Sequence, residues 1–413
     1  MYHPARILLP FALGYFFSYL LRTVNAVIAP WLTHEMGLSK AELGALTSAY
    51  FFTFALAQLP LGILMDRLGP RRLNAALLLV AAAGCAVFGL ASSSAGLMLG
   101  RALIGLGVSG CLMCAIKANT EWFPLHRLPA LNSWILFAGL AGSIVATLPV
   151  AWLLSQLGFQ GLFMLLVGVG VLAAFIQWRV VPEPAQARPQ ESLRDSMQAV
   201  GQLFRQRRFW SLAPLGALVM GLHMAMQGLW LAQWLRDVRQ LPGATVDHLL
   251  FQLALVATCG ALLWGQVASR LQKRGIAPLT LLCGVAALNG SALLLLAWNP
   301  DWPALLLIGS YSFTAMAGNL AYAVMTARFD PQLAGRANTA LNLVNFVIAF
   351  LTQSGFGYAL EALQPRMPLL QAYPALLTTM AALVILSVLL AWRGRRAHGV
   401  PPSPVSAPQQ IHR

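Results

Sequence analysis

The chain has 413 residues, 58% of them hydrophobic and only 9% charged, where ordinary soluble domains carry about 25% charged residues. So few charges cannot cover the surface of a water-soluble protein of this length, which excludes a soluble enzyme or binding module and leaves a bilayer as the solvent. The formal charge of +15 suggests nucleic acid only until the positions of the charges are considered.

Spanning helices need about 20 apolar residues each. Twelve such runs follow in chain order, near 7–31, 42–65, 73–94, 97–120, 130–155, 160–179, 209–235, 248–269, 277–298, 303–327, 337–360 and 370–392. None shows the two-residue alternation of a barrel strand, and lipid-exposed backbone must satisfy its own hydrogen bonds. The expectation is an all-α membrane protein of twelve transmembrane helices. The first run is too long for the apolar core of a cleavable signal peptide, and no small-residue cleavage site follows it.

That first run holds Arg22 in the stretch "SYLLRTVNAVIAP", with Asn25 one turn on. A charge at mid-bilayer costs a few kcal/mol at least, so it faces a cavity or a partner and marks a functional site. The opposing reading is a packing arginine bonded to helix carbonyls. The loop after the second run reads Gly62-x-x-x-Asp66-Arg67-x-Gly69-x-Arg71-Arg72. Gly62 permits close helix approach, Gly69 a tight turn, and Asp66 pairing with a basic group or a helix N-terminus across a boundary. The fourth run opens with Arg101-x-x-x-Gly105-x-Gly107 and carries Lys117 about four turns in.

No Asp or Glu lies in the middle of any run; Glu42, Glu121 and Glu361 sit near ends. Unbalanced cations imply that the missing anion is the ligand, a carboxylate or phosphate. Arg22 would hold it with a two-pronged fork and Lys117 as a point charge, although Lys117 is also placed to snorkel to the cytoplasm. Cys111 and Cys114 form a CxxC on an apolar helix with no second ligand pair, which reads as helix packing. No metal or cofactor is expected.

Residues 181–208 read as a cytoplasmic linker between an N-terminal bundle (1–180) and a C-terminal bundle (209–392). Prolines open it, and "ESLRDSMQAVGQLF" has the spacing of a short amphipathic surface helix. The seventh helix offers His223 as a possible proton site, with Gln227 and Trp230 on one face. Asn319 and Tyr322 share a face of the tenth helix. Asn338, Asn342 and Asn345 recur at i, i+4 and i+7 on the eleventh. Each is as readily interhelical glue; together they suggest a polar cavity. The tail 393–413, with "GVPPSPVSAPQQ", is disordered by composition.

Of the 27 Lys and Arg, 20 fall at the N-terminus, in the even-numbered loops and in the tail. Four lie in the opposite loops (Lys40, Arg236, Arg239, Arg366) and three within helices. This bias places both termini in the cytoplasm, so basicity encodes orientation and contact with anionic lipid rather than a nucleic-acid partner. The halves also echo each other. Gly62, Arg67 and Leu68 fall on Gly265, Arg270 and Leu271, while Thr120, Phe123 and Asn132 fall on Thr326, Phe329 and Asn338. Such parallel repeats are a transporter architecture with the site between the halves near mid-membrane.

The chain resembles the major facilitator superfamily over nearly all its length, through the Gly62–Arg72 loop motif and the Arg101–Gly107 pattern. The resemblance implies two pseudo-symmetric six-helix bundles and a latch at Asp66 on the cytoplasmic side of the outward-open state. In the second half the aspartate position is Ser269, so the matching latch is weaker or absent. "TEWFPLHRLPALNSW" and "LGFQGLFMLL" are similar to the branch holding sugar-phosphate and nitrate/nitrite permeases. Around Arg22 the chain is similar to organophosphate/phosphate exchangers, where that arginine holds phosphate. Their second arginine, on the seventh helix, is absent here, so the phosphate clamp is incomplete.

The expected function is therefore secondary active or facilitated transport, in the symporter style, of a small anionic or zwitterionic solute. Organic acids, phosphate esters, amino acids and small peptides all fit. The expected setting is a monomer in a bacterial inner membrane, with a proton as the possible co-transported ion. The alternative is a drug/proton antiporter, but the Gly-Pro motif of the fifth helix and a membrane carboxylate are missing. An enzyme would need a His/Asp/Glu cluster or a Ser/His pairing on facing helices, and the sequence offers neither.

Overall fold

The computed structural model describes residues 4–182 and 201–397. Ten helices are long and apolar enough to cross a membrane, and the bent pair Ala5–Thr23 with Asn25–Met36 makes eleven. The twelfth emerges because the helical run Lys40–Leu90 is two spans: Gly69 breaks it with φ 79° and ψ 156°. That left-handed φ is open to glycine and strained for other residues, which explains Gly69 in the loop motif.

The spans are α1 (5–36), α2 (40–68), α3 (70–90), α4 (Ser94–Trp122), α5 (128–157), α6 (159–180) and α7 (Ala213–Asp237). They continue with α8 (Gly243–Lys273), α9 (Pro278–Trp298), α10 (Ala304–Arg328), α11 (Pro331–Leu363) and α12 (Leu369–Ala397). Gly158, at φ 66°, divides α5 from α6 as Gly69 divides α2 from α3. Every predicted run meets a helix. The predicted linker helix falls mostly in 183–200, outside the described residues; 201–204 are helical, with Leu203 buried. Helix α12 continues to Ala397, past the predicted start of the tail at 393, whose remainder (398–413) lies outside the described residues.

Packing shows the duplication directly. Within the first six helices α1 packs on α5, α2 and α3 both pack on α4, and α3 packs on α6; within the last six α7 packs on α11, α8 and α9 both pack on α10, and α9 packs on α12. The bundles then meet along α2–α11 and α5–α8, pairs related by the same exchange. The echo extends to the irregular turns. The 203-residue offset that carries Gly62 onto Gly265 carries the break in α1 at Val24 onto Gln227, inside a π turn, Met226–Trp230. The 206-residue offset of Thr120 and Thr326 carries the interruption of α4 at Gly110 onto Met316, where the 3-10 turn Met316–Asn319 begins. These four interruptions fall in two related pairs, as in helices that build mid-membrane sites, while α5 is also broken at Ala146–Thr147 without a counterpart in α11.

With twelve spans between them, Pro4 and Ala397 lie at one end of the molecule, called proximal; the other is distal. Contacts between the bundles are layered from a middle level toward the distal end. On α2, Gly44, Thr47, Phe51, Phe54 and Gln58 repeat at spacings of three and four, forming one stripe toward α11. Gln58 Oε1 accepts from Asn342 Nδ2 (3.4 Å). One turn distal, Phe54 stacks on Phe346 with ring centroids 4.0 Å apart. Beyond that the backbones touch: a Cβ on Gly44 would stand 2.7 Å from the Gln353 carbonyl oxygen, so only glycine admits this approach.

Candidate functional site

Arg22 sits at the last turn of α1 before its break, half-buried, with Cζ 3.6 Å from the centre of the Tyr19 ring. That cation–π contact accommodates the charge without neutralising it. Among the described residues no carboxylate forms an ion pair with Arg22, and the phenols of Tyr19, Tyr50 and Tyr15 lie within electrostatic range of it. Tyr15 and Tyr19 stand edge to face at 5.0 Å, and both press on Gly139 of α5, which leaves them room.

Across the bundle boundary α10 and α11 present a bonded lattice. Tyr322 Oη donates to Asn342 Oδ1 (2.8 Å) and accepts from Asn345 Nδ2 (2.8 Å). Asn342 passes the chain to Gln58 of the other bundle, and Tyr322 lies within electrostatic reach of Arg22. Asn345 is 1% exposed and its Oδ1 has no protein partner. Asn25 is 2% exposed, and neither polar atom of its carboxamide has one. Buried polar groups are almost always bonded, so these atoms read as reserved for a ligand or water. Gln227 reaches across from α7 to Ser143 Oγ of α5 (3.5 Å). Arg22, Tyr322, Asn342 and Gln227 keep partial exposure, so the cluster is reachable.

Three predicted site residues lie elsewhere or stand apart. Lys117 does not join Arg22: its ammonium pairs with Asp66 (3.2 Å) near the proximal end, so the expected pair of unbalanced cations reduces to Arg22. Trp230 is fully buried, donates to the Gln353 carbonyl (3.2 Å) and packs on Phe356. The π turn adds a residue to its turn of α7 and separates it from Gln227, so it seals the distal side instead of lining the cluster. Asn319 is exposed in the 3-10 turn of α10, three residues before Tyr322. His223 is 2% exposed beside Tyr311, with ring centroids 6.0 Å apart; both its nitrogens lack a partner, and Arg22 acts on it electrostatically.

Sequence reading passed over Gln58, Tyr19 and Ser143. Gln58 had a signal, as a lone amide in the apolar stretch "FALAQLPLG". Tyr19, three residues before Arg22, reads from sequence only as another apolar-face aromatic.

The Major Facilitator Superfamily profile matches residues 11–353. The chain belongs to the Major Facilitator Superfamily. Among curated superfamily relatives, the probable L-galactonate transporter of Escherichia coli (strain K12) is 24% identical over 355 residues, 80% of this chain and 78% of that one. The hexuronate transporter of the same strain is 25% identical over 219 residues, about half of each chain (49% and 50%). The probable sulfoacetate transporter SauU of Cupriavidus necator is 28% identical over 282 residues, 63% of this chain and 64% of its own. Among solved structures, a bacterial homologue of the human lysosomal transporter Spinster in an inward-facing conformation superposes with TM-score 0.77 at 20% identity, covering 96% of this chain and 98% of that one. A D-xylose–proton symporter gives 0.72 at 14%, covering 94% and 97%. At those identities the likeness shows the fold. This is an integral membrane transporter of the superfamily.

The superfamily's loop motif can now be placed. Asp66 pairs within its own bundle, with Lys117, instead of across the boundary. The close approach expected at Gly62 is absent, since a Cβ there would meet nothing within 4 Å. Arg67 and Arg72 are exposed, and the Arg71 guanidinium lies 5.4 Å from the Trp178 ring. The echo between halves persists at this end: Asn132 of α5 accepts from Asn119 of α4 (2.8 Å), and Asn338 of α11 donates to Thr326 of α10 (2.8 Å).

Proposed function

We propose that this protein carries a small organic acid, of the sugar-acid class, between the two bundles by alternating access. The observation that carries the reading is Arg22, a half-buried guanidinium part-way along a spanning helix that no carboxylate of the described residues pairs with. A solute carboxylate would complete it in bidentate fashion. Asn342, Asn345 and Tyr322 of the opposite bundle, with Gln58 and Asn25 of the Arg22 bundle, offer both donors and acceptors, as a polyhydroxylated chain requires. Relatives named for galactonate and hexuronate support the same class. The proximal end is cytoplasmic on the charge bias, and the two bundles rock about the central site. His223, buried beside Tyr311, would carry a co-transported proton only in a state that opens it to water. Asp66, parked on Lys117 here, would cross to the other bundle when the proximal side closes.

The test is binding to purified protein by calorimetry. Sugar acids bind wild type, their neutral parent sugars bind far more weakly, and Arg22→Lys weakens binding partially by losing the fork. Arg22→Gln loses about 2–5 kcal/mol, roughly 30- to several-thousand-fold in affinity. Wild-type affinity in a well-folded Gln variant, or equal binding of acid and neutral sugar, refutes the assignment.

A further inference from the structure

Four basic residues stand against the charge bias, and the structure employs three of them at the distal end. Arg239 donates to the side chain of Asn299 and to the carbonyls of Pro300 and Trp302, holding the α9–α10 turn. Arg236 bonds the Ala26 carbonyl through both terminal nitrogens (3.3 Å each). That oxygen is available because Pro30, four residues on, has no N–H to give it. Lys40 is the unexpected one.

Lys40 is the first residue of its helix, where the partial positive charge of the helix end disfavours a cation. The capping box of Ser39 and Glu42 already satisfies that end, so helix formation gives no reason for a lysine. Its ammonium bonds Asp237 Oδ2 on α7, in the other bundle. The same oxygen accepts from Tyr373 Oη on α12 (2.6 Å). One carboxylate oxygen thus joins a helix of the first bundle to two of the second. The pair is partly buried, with side chains 26% and 18% exposed, so water and salt screen it incompletely.

It lies on the wall of a cavity of about 410 Å³ that Thr33, His34, Arg236 and Glu361 also line. Glu361, on α11, accepts from Ser39 (3.4 Å). Directly proximal lie the Gly44–Gln353 backbone contact and the Phe54–Phe346 stack.

We propose that Lys40, Asp237 and Tyr373 form an ionic latch that holds the distal side shut and must break before solute passes there. The proposal rests on two-bundle transport but not on which solute is carried. Asp237 is the pivot, because it alone holds both partners. Opening the distal side separates α2 from α7 and removes Lys40 from it.

The test uses the full chain in proteoliposomes, with the native cysteines replaced and Thr47→Cys as reporter. Residue 47 is 3% exposed on the α2 stripe toward α11, proximal to the latch. An impermeant thiol reagent is applied from the distal side without solute, so failure of the anion assignment does not move the readout. Asp237→Asn and Lys40→Gln should each raise the labelling rate by about 5-fold or more, the scale of coupling between contacting charges. The double variant should exceed neither single by a meaningful margin, since either change already breaks the pair. Tyr373→Phe, which keeps the ring and the ion pair, should give a smaller rise and serves if a charge variant fails to fold. Wild-type labelling in the variants that fold, or a double effect equal to the product of the singles, overturns the latch.

Discussion

At the scale of single residues, the site combines one unbalanced charge with an amide–phenol lattice. Tyr322 is the member whose loss is most informative, because its hydroxyl serves both Asn342 and Asn345. Tyr322→Phe keeps the ring but strands the buried Asn345 carboxamide and leaves Asn342 only its bond to Gln58. Leaving buried polar groups unpaired costs about 1–3 kcal/mol. We expect a lower melting temperature and anion affinity reduced by about tenfold, which is 1.4 kcal/mol. Affinity within twofold of wild type, measured by calorimetry on folded protein, would remove Tyr322 from the site. Much of this was legible in sequence: Arg22, Asn25 and the asparagine spacing on α11 all stood out as polar interruptions of apolar runs. Lys117 misled because sequence shows a charge but not its partner 51 positions back in the chain.

At the scale of elements, helix positions followed from apolar length, while irregularities inside helices did not. Nothing in "MQGLW" announces the π turn that parts Trp230 from Gln227, because packing from neighbouring helices selects it. Gly69 announced a turn only by residue type and Gly158 was not singled out at all, and the structure supplies the left-handed φ that makes glycine suitable at both. Gly44 is the element-scale test. A larger side chain there meets the Gln353 carbonyl and should prise α2 from α11 at the distal end. Overpacking of this kind costs about 1–3 kcal/mol, which shifts the opening equilibrium by about 5- to 150-fold. In Gly44→Val, a cysteine at 47 should react faster from the distal side. An unchanged rate would mean that this contact does not control closure.

At the scale of the whole molecule, duplication, topology and charge bias were readable early, because each sums weak signals over many residues. Pairings between the halves were not, since Lys40 and Asp237 are 197 positions apart and only the folded bundles bring them together. With the proximal end cytoplasmic, single cysteines at exposed Asp301 and Arg366 should label from outside intact cells. Those at Arg72 and Arg274 should label only after permeabilisation. External labelling at 72 would invert the assignment.

The idle carboxamide of Asn25 has a consequence for discrimination. A buried donor–acceptor pair with no protein partner penalises any visitor that cannot answer it. Sites built to bond a hydroxyl reject the analogue lacking it far more strongly than apolar sites reject a missing methylene. If a sugar-acid hydroxyl meets Asn25, the deoxy counterpart at that carbon should compete poorly even though its carboxylate still finds Arg22. Arg22 would then set the class of solute admitted, and Asn25 which stereoisomers within that class are carried.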